Sequence, residues 1–379
     1  MNTLFSPFAL RGLTLKNRLV VAPMCQYSAR HGVAGDYHLV HYGRFALGGF
    51  GLVIVEATAV TPEGRISYGD LGLWDDGQIA PLARIVDVVK ANGAAVGIQI
   101  GHAGRKASAT VPWRGGFTET EAEKAALGFE SWTPVAPSAV PHTPNSPVYQ
   151  TPHALTLDEI AAVKDAFVAA ARRALAAGFD LVEVHGAHGY LLNQFLSPLA
   201  NRRTDRYGGS RENRMRFPLE VVAAVRAVWP ADKPVLVRLS VTDSHPEGWT
   251  TEDSVVLSAE LKRLGVDLVD CSSGGFDGAA VAPKPLYQVP LARAVRDGAG
   301  IPTAAVGLIT RPDEAEAIVA SGDADLVALA REALDDPNWP LHARAQLGGT
   351  DYSDWPRQSG YAVRNKDRAL GLRGFGAAR

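Results

Sequence analysis

The chain has 379 residues, 46% of them hydrophobic and 21% charged, and its 38 basic and 40 acidic side chains leave a net charge of -2. That composition is expected of a soluble globular protein with enough apolar surface for one large α/β barrel or two ordinary domains. The near-balance of charge excludes a global field that would recruit nucleic acid or an anionic membrane, and it points to small-molecule partners.

Residues 1–18 lack the apolar centre of a signal peptide, and no apolar run is long enough to span a bilayer. The two cysteines, Cys25 and Cys271, are too few for a disulfide framework, which suits a reducing compartment. A cytoplasmic protein is therefore expected. Residues 10–15 read as a hairpin over one end of the fold. A first buried strand follows at 18–24 (RLVVAPM), and similar runs recur at 51–60, 94–102, 179–185, 234–240, 266–272, 301–307 and 324–331. Between them, 79–92, 158–177, 214–229, 254–264 and 312–321 have helical spacing. Thr156 and Glu159 form a capping-box pattern, Gly178 ends the same helix, and Thr310 and Pro312 open another.

Continuous apolar strands alternating with amphipathic helices imply a parallel sheet covered on its outer side, and eight such units predict an α/β fold of the (β/α)8 TIM-barrel type. An open doubly wound sheet would need a glycine fingerprint after the first strand, where the chain instead reads Pro23-Met24-Cys25-Gln26-Tyr27. One connection, 103–155, is too long for its place. It carries Pro112, Pro134, Pro137, Pro141, Pro144, Pro147 and Pro152 with Trp113 and Trp132, and is expected to be an ordered cap. Residues 1–345 thus read as one barrel domain and 346–379 as an extension.

In such barrels chemistry gathers at the carboxyl ends of the strands, with phosphate commonly held after strands seven and eight. Those ends here carry Cys25 and Tyr27, Ala57 and Thr58, Gln99 and His102, His185 with His188 and Tyr190, Arg238, residues 272–275, Gly307, and Arg331. Gly307 and the Ala330-Arg331 pair suit an anion. His185 and His188 admit three readings: zinc ligands without an evident completing group, structural histidines, or donors to a substrate oxygen with Tyr190 as proton source. Schiff-base chemistry lacks a lysine in 234–240 or 266–272, and Glu56 and Glu183 lie inside strands, away from the ends a glycosidase would use. A bound organic cofactor would account for so few protein acids and bases.

The segment 185–217, HGAHGYLLNQFLSPLANRRTDRYGGSRENRMRF, resembles the central signature of the Old Yellow Enzyme family of flavin-dependent ene-reductases. Residues 22–28 (APMCQYS) and 101–108 (GHAGRKAS) resemble its short bacterial branch of xenobiotic reductases and NADPH dehydrogenases, and the similarity runs from about Leu4 to Trp339. The resemblance implies a noncovalent FMN across the barrel mouth. Ala22, Pro23, Met24 and Cys25 would line it, Ala57 and Gln99 would hydrogen-bond its ring, Arg238 would meet its pyrimidine edge, and Gly307, Ala330 and Arg331 would hold its phosphate. NADPH would supply hydride to the flavin for an activated alkene. His185 and His188 would hold the carbonyl or nitro oxygen, Tyr190 would protonate the α-carbon, and Tyr27 would touch the substrate. Cys25 would tune the flavin, against a plain reading as an inert buried thiol.

The run 201–213, with four arginines, reads as support for the site. Two cysteines exclude the iron-sulfur relatives. A homodimer or homotetramer is implied, but residues 355–362 (WPRQSGYA) depart from the branch pattern, which leaves open whether Trp355, Arg357 or Tyr361 completes a neighbour's site. Val306 suggests a roomier pocket, and the tail with Gly371, Gly374 and Gly376 is expected to be disordered. The alternative from another class is a flavin- or phosphate-binding barrel without turnover, acting as a sensor.

Overall fold

The computed structural model describes residues 3–115, 117–146 and 148–373; Pro147 of the long connection and Gly374 and Gly376 of the tail lie outside the described residues. Eight parallel strands close into a barrel: β1 Leu19–Val21, β2 Leu52–Ala59, β3 Ala95–Gly101, β4 Leu181–Gly186, β5 Val235–Ser240, β6 Leu268–Ser272, β7 Thr303–Ala305 and β8 Leu326–Leu329. The last pairs back onto the first through Val327 and Leu19. The expected TIM barrel is correct.

Strand parity divides the apolar side chains into two cores. Val21, Val53, Val96, Val182, Val237, Val269 and Val327 face outward and join one large cluster with residues of the surrounding helices, among them Phe45, Ile85, Phe167 and Val222. Val20, Leu52, Leu181, Leu236, Leu268 and Leu326 face inward and fill the lower barrel. Gly97 shares that interior because no side chain fits there: an added Cβ would lie 2.3 Å from Leu181 Cδ1. The predicted hairpin is present as Phe8–Leu10 and Leu13–Leu15. It plugs the amino end, with Leu10 and Leu15 packed into the inner cluster and the Gly12 amide donating to Asp232 O at 2.9 Å.

Helix Arg211–Val228 starts one turn before the expected 214, because Ser210 caps it by accepting from the Asn213 amide. Strands β7 and β8 are shorter than their apolar runs. Gly307, at φ +118, turns the chain out of the sheet just beyond β7. Helices Asp36–Leu47 and Val289–Ala299 were not among the segments named from spacing. The first buries His38, His41 and Tyr42, polar residues that blur an apolar stripe.

The insertion after β3 is built as a cap. Trp132 Nε1 donates to Glu63 O at 2.8 Å, and Val135–Ala136 pairs with His153–Ala154. Arg105 donates to Val140 O and Pro141 O, with its guanidinium over Phe276. No helix of the described residues is long and apolar enough to cross a membrane.

Candidate active site

Inward parity continues upward from the leucine layer, and there the side chains change character. Gln99, Glu183, Arg238 and Asp270 form the next level, with His185, Ser240 and Ser272 above them; each is at most 6% exposed. Cross-strand pairing sets Gln99 beside Glu183, His185 beside Arg238, and Arg238 beside Asp270. Gln99 Nε2 donates to Glu183 Oε1 at 2.8 Å, and Arg238 Nε lies 3.0 Å from Asp270 Oδ2.

The mouth opens into a cavity of about 420 Å³ whose lining includes His188, Arg238, Ser272, Gly307, Ala330 and Arg331. Gly307 keeps its wall open, since a Cβ there would press on Gln288 and Tyr287. One guanidinium stands at the barrel axis and another after β8, with backbone exposed near the second. That donor set suits an elongated ligand with an electron-rich heterocycle at one end and a phosphate at the other.

His185, His188 and Tyr190 gather on the adjoining wall. The imidazoles are 5.1 Å apart between ring centroids, and Tyr190 lies 5.1 Å from His185 and 6.5 Å from His188. A backbone hydrogen bond assigns the tautomer of His185. His185 Nδ1 accepts from the Ala187 amide at 3.3 Å, so Nε2 carries the proton. Ser272 Oγ, which accepts from Gln288 Nε2 at 3.2 Å, lies 2.7 Å from His188 Nε2, and either atom of that pair can donate. Burial, followed by the charge of Arg238, holds both imidazoles far below their usual range, so each is a neutral donor. Burial also drives the Tyr190 phenol well above its usual range, with Cys25 and Tyr27 adding to the effect, and the proton stays on.

His188 is held under strain. Its φ is +59°, in the left-handed region that costs a non-glycine residue free energy. Its amide donates to Ser240 Oγ at 2.8 Å, its carbonyl accepts from Lys106 Nζ at 3.0 Å, and the Ser240 hydroxyl donates onward to Gly274 O at 2.7 Å. Gly275 must be glycine here, for a Cβ would sit 2.1 Å from the His188 carbonyl carbon. Gln194 ties the loops after β3 and β4 together through Gly189 O and Ala103 O.

Of the residues singled out in the sequence, His188, Arg238, Gly307, Ala330 and Arg331 share the cavity, while Ala57, His185 and Tyr190 line a narrow adjoining cleft with Asp70 and His102. Ala22, just beyond β1, is buried, Pro23, Met24 and Cys25 are half-buried, and Tyr27 takes φ +50 with its ring 5.9 Å from Trp113. Burial, then Asp70 and Glu56, pushes the Cys25 thiol well up, keeping it neutral. Gln99 spends its amide on Glu183 beneath the mouth. Arg203 and Asn201 bind backbone carbonyls of Pro137, Leu155, Phe195 and Tyr207, as the support reading expects. Trp355, Arg357 and Tyr361 line neither the cavity nor the cleft, and Tyr361 is 67% exposed.

Sequence reading gave no role to Lys106, Glu183, Asp270, Ser240 or Gln288. A signal existed for three of them: Glu183, Asp270 and Ser240 have the same strand parity as His185, Ser272 and Arg238. Lys106 and Gln288 arrive from loops whose course the sequence does not show.

The NADH:flavin oxidoreductase / NADH oxidase family matches residues 3–349. An NADPH dehydrogenase of Geobacillus thermodenitrificans is 50% identical over 351 residues, covering 92% of this chain and 96% of that protein. Among solved structures, morphinone reductase superposes with a TM-score of 0.76 at 31% identity over 95% of this chain and 96% of its own. A 2-naphthoyl-CoA reductase complex gives 0.80 at 28% identity over 91% of this chain; the chain spans 52% of that protein.

Proposed function

The chain belongs to the NADH:flavin oxidoreductase / NADH oxidase family, of Old Yellow Enzyme type, and from that premise we propose that it is an ene-reductase acting on activated alkenes. As an enzyme of this family it uses FMN and NADPH. The residues present fit FMN: Arg331 and the open Gly307 wall match a phosphate, and Arg238 matches the ring edge that gains negative charge on reduction. FMN held there would supply hydride transfer, from NADPH to the β-carbon of the alkene.

The observation that carries the reading is the trio of His185, His188 and Tyr190 beside that cavity, two neutral imidazole donors and one protonated phenol. His185 Nε2–H and the ring N–H of His188 bind the carbonyl or nitro oxygen of an enone, enal, maleimide or nitro compound, and stabilise the negative charge that develops there. Tyr190 gives its hydroxyl proton to the α-carbon. Tyr27, packed on Trp113, closes the substrate side, and the capping insertion excludes water. Cys25 contributes a neutral thiol to the flavin-lining loop.

Anaerobic NADPH should bleach the yellow protein, and cyclohexenone should restore its colour. Tyr190→Phe should slow the recovery far more than the bleaching. Equal slowing of both would remove Tyr190 from the proton-donor role, and protein that cannot take up FMN would overturn the reading as a whole.

A further inference from the structure

Two carboxylates stand inside the barrel where the lower strand residues are leucine. Glu183 on β4 and Asp270 on β6 stand on the strands either side of Arg238 on β5, Asp270 paired with it and Glu183 paired with Leu236 two residues before it, and they are 0% and 2% exposed. Glu183 Oε1 accepts from Gln99, and Asp270 Oδ2 faces Arg238 Nε at 3.0 Å. The remaining oxygens, Glu183 Oε2 and Asp270 Oδ1, are buried without a hydrogen-bond partner among the described residues. With both acids ionised, this level holds two anions against one cation. An uncompensated buried charge costs several kcal/mol, whereas a carboxylic acid in its place is neutral and supplies a missing donor.

Resting on the FMN reading above, we propose that Glu183 and Asp270 hold one proton between them, and that this pair is a positioning element which sets the charge Arg238 presents to the flavin. The pair keeps its proton while the site is neutral overall and gains one, if it has been ionised, when the flavin is reduced.

The surroundings agree. Burial, then Asp270, pushes Glu183 up to about 8, and burial raises Asp270 against the pull of Arg238. Because the two are coupled, the proton belongs to the pair. From β3 only uncharged Gln99 faces them, and from β7 the paired residue is Ala304. His185, further along β4, and His188 above are held neutral, so among the described residues Arg238 is the one fixed cation at this level. Reduction brings two electrons and one proton together as hydride, adding one negative charge beside Arg238. Above the pair's titration, one further proton moves from solvent onto a carboxylate, giving two protons per two electrons; below it, the pair is already protonated and only the hydride's proton counts.

The test is the midpoint potential of the FMN-loaded protein, titrated from below to above about pH 8, with free FMN measured alongside. Each extra proton adds about 29.6 mV per pH unit to a two-electron couple. The native protein should steepen by that amount relative to free FMN, and Glu183→Gln, a neutral isostere, should not. At neutral pH the native protein should show a carboxylic-acid infrared band that Glu183→Gln loses, beside any from Glu56, which burial pushes up to about 8; Asp270→Asn gives a second variant should the first fail to fold. A yellow, NADPH-reducible protein whose slope matches the variants, or whose acid bands are unchanged in Glu183→Gln, overturns the shared proton alone. A protein that takes up no FMN overturns this and the ene-reductase reading together.

Discussion

Lys106 offers the sharpest test of how Tyr190 is made to work. Its ammonium lies 5.0 Å from the centre of the Tyr190 ring and donates to His188 O at 3.0 Å. As Tyr190 gives up its proton, negative charge grows on the ring beneath that cation, and a desolvated cation over an aromatic face is worth about 2 kcal/mol. Lys106→Met keeps the length and removes the charge, so proton transfer to the alkene should slow roughly 30-fold. Bleaching by NADPH, which takes no proton from Tyr190, should be unchanged. Anaerobic stopped-flow absorbance separates the two halves. The pH dependence adds a second reading. Burial, then repulsion from Arg105, pulls Lys106 down to about 8. The cation is present below that pH and lost above it, so the native rate with alkene should fall as pH rises through about 8. Lys106→Met should be slow and flat there, and Lys106→Arg fast and flat. A methionine variant that keeps the fall, or that slows both halves equally, would refute the reasoning.

Arg331→Ala should weaken FMN roughly 10- to 150-fold, the loss of one charge-assisted hydrogen bond of about 1.5–3 kcal/mol, while leaving riboflavin affinity unchanged; titration of the apoprotein by flavin fluorescence decides, and an equal loss for both ligands would move the phosphate elsewhere. Gly275→Ala puts a Cβ 2.1 Å from the His188 carbonyl carbon at φ +115, so denaturant unfolding should show a loss of about 1–3 kcal/mol together with weaker alkene binding. A variant of native stability and affinity would show that this close approach does not hold His188.

The fold was readable because its signals are repetitive and local. Eight apolar runs, five of them followed by a segment of helical spacing, admit few topologies, and the polar ends of those runs marked Arg238, Gly307, Arg331 and the His185–Tyr190 cluster. Glu183 was seen and set aside, because an acid inside a strand was weighed only as a hydrolytic carboxylate. Its meaning depends on which strands neighbour which: Gln99, its partner on β3, and Arg238, two residues beyond its partner Leu236 on β5, are 84 and 55 positions away in the chain. Lys106 was quoted within a motif but had no assigned role, since its reach to Tyr190 depends on a short helical turn at Gly104–Lys106 that reverses the chain after β3. Helix Asp36–Leu47 escaped notice for a related reason. Its buried face carries His38, His41 and Tyr42, and Tyr42 donates to Glu56 Oε1 at 2.8 Å, a partner supplied only by the fold.

Parity along the strands explains how a stable barrel can carry so costly a mouth. The outward valines Val21, Val53, Val96, Val182, Val237, Val269 and Val327 bury their surface against the helices, at about 1.5–3 kcal/mol for each full side chain, and none of these seven lines the cavity. Inside, leucines and the hairpin close only the lower half. The upper interior is therefore released from holding the fold together, and it contains what a fold alone would avoid: Glu183 and Asp270 beside a single arginine, two imidazoles kept neutral, and His188 in a left-handed conformation. Each of these opposes folding, and each lies within or just above the polar level that Arg238 anchors. It follows that substitutions at outward positions such as Val182 or Val237 should act on stability, whereas those one residue along at Glu183 or Arg238 should act on the flavin and its substrate. Adjacent residues on one strand thus serve separate ends because the pleat points them at different solvents, one at hydrocarbon and the other at the site.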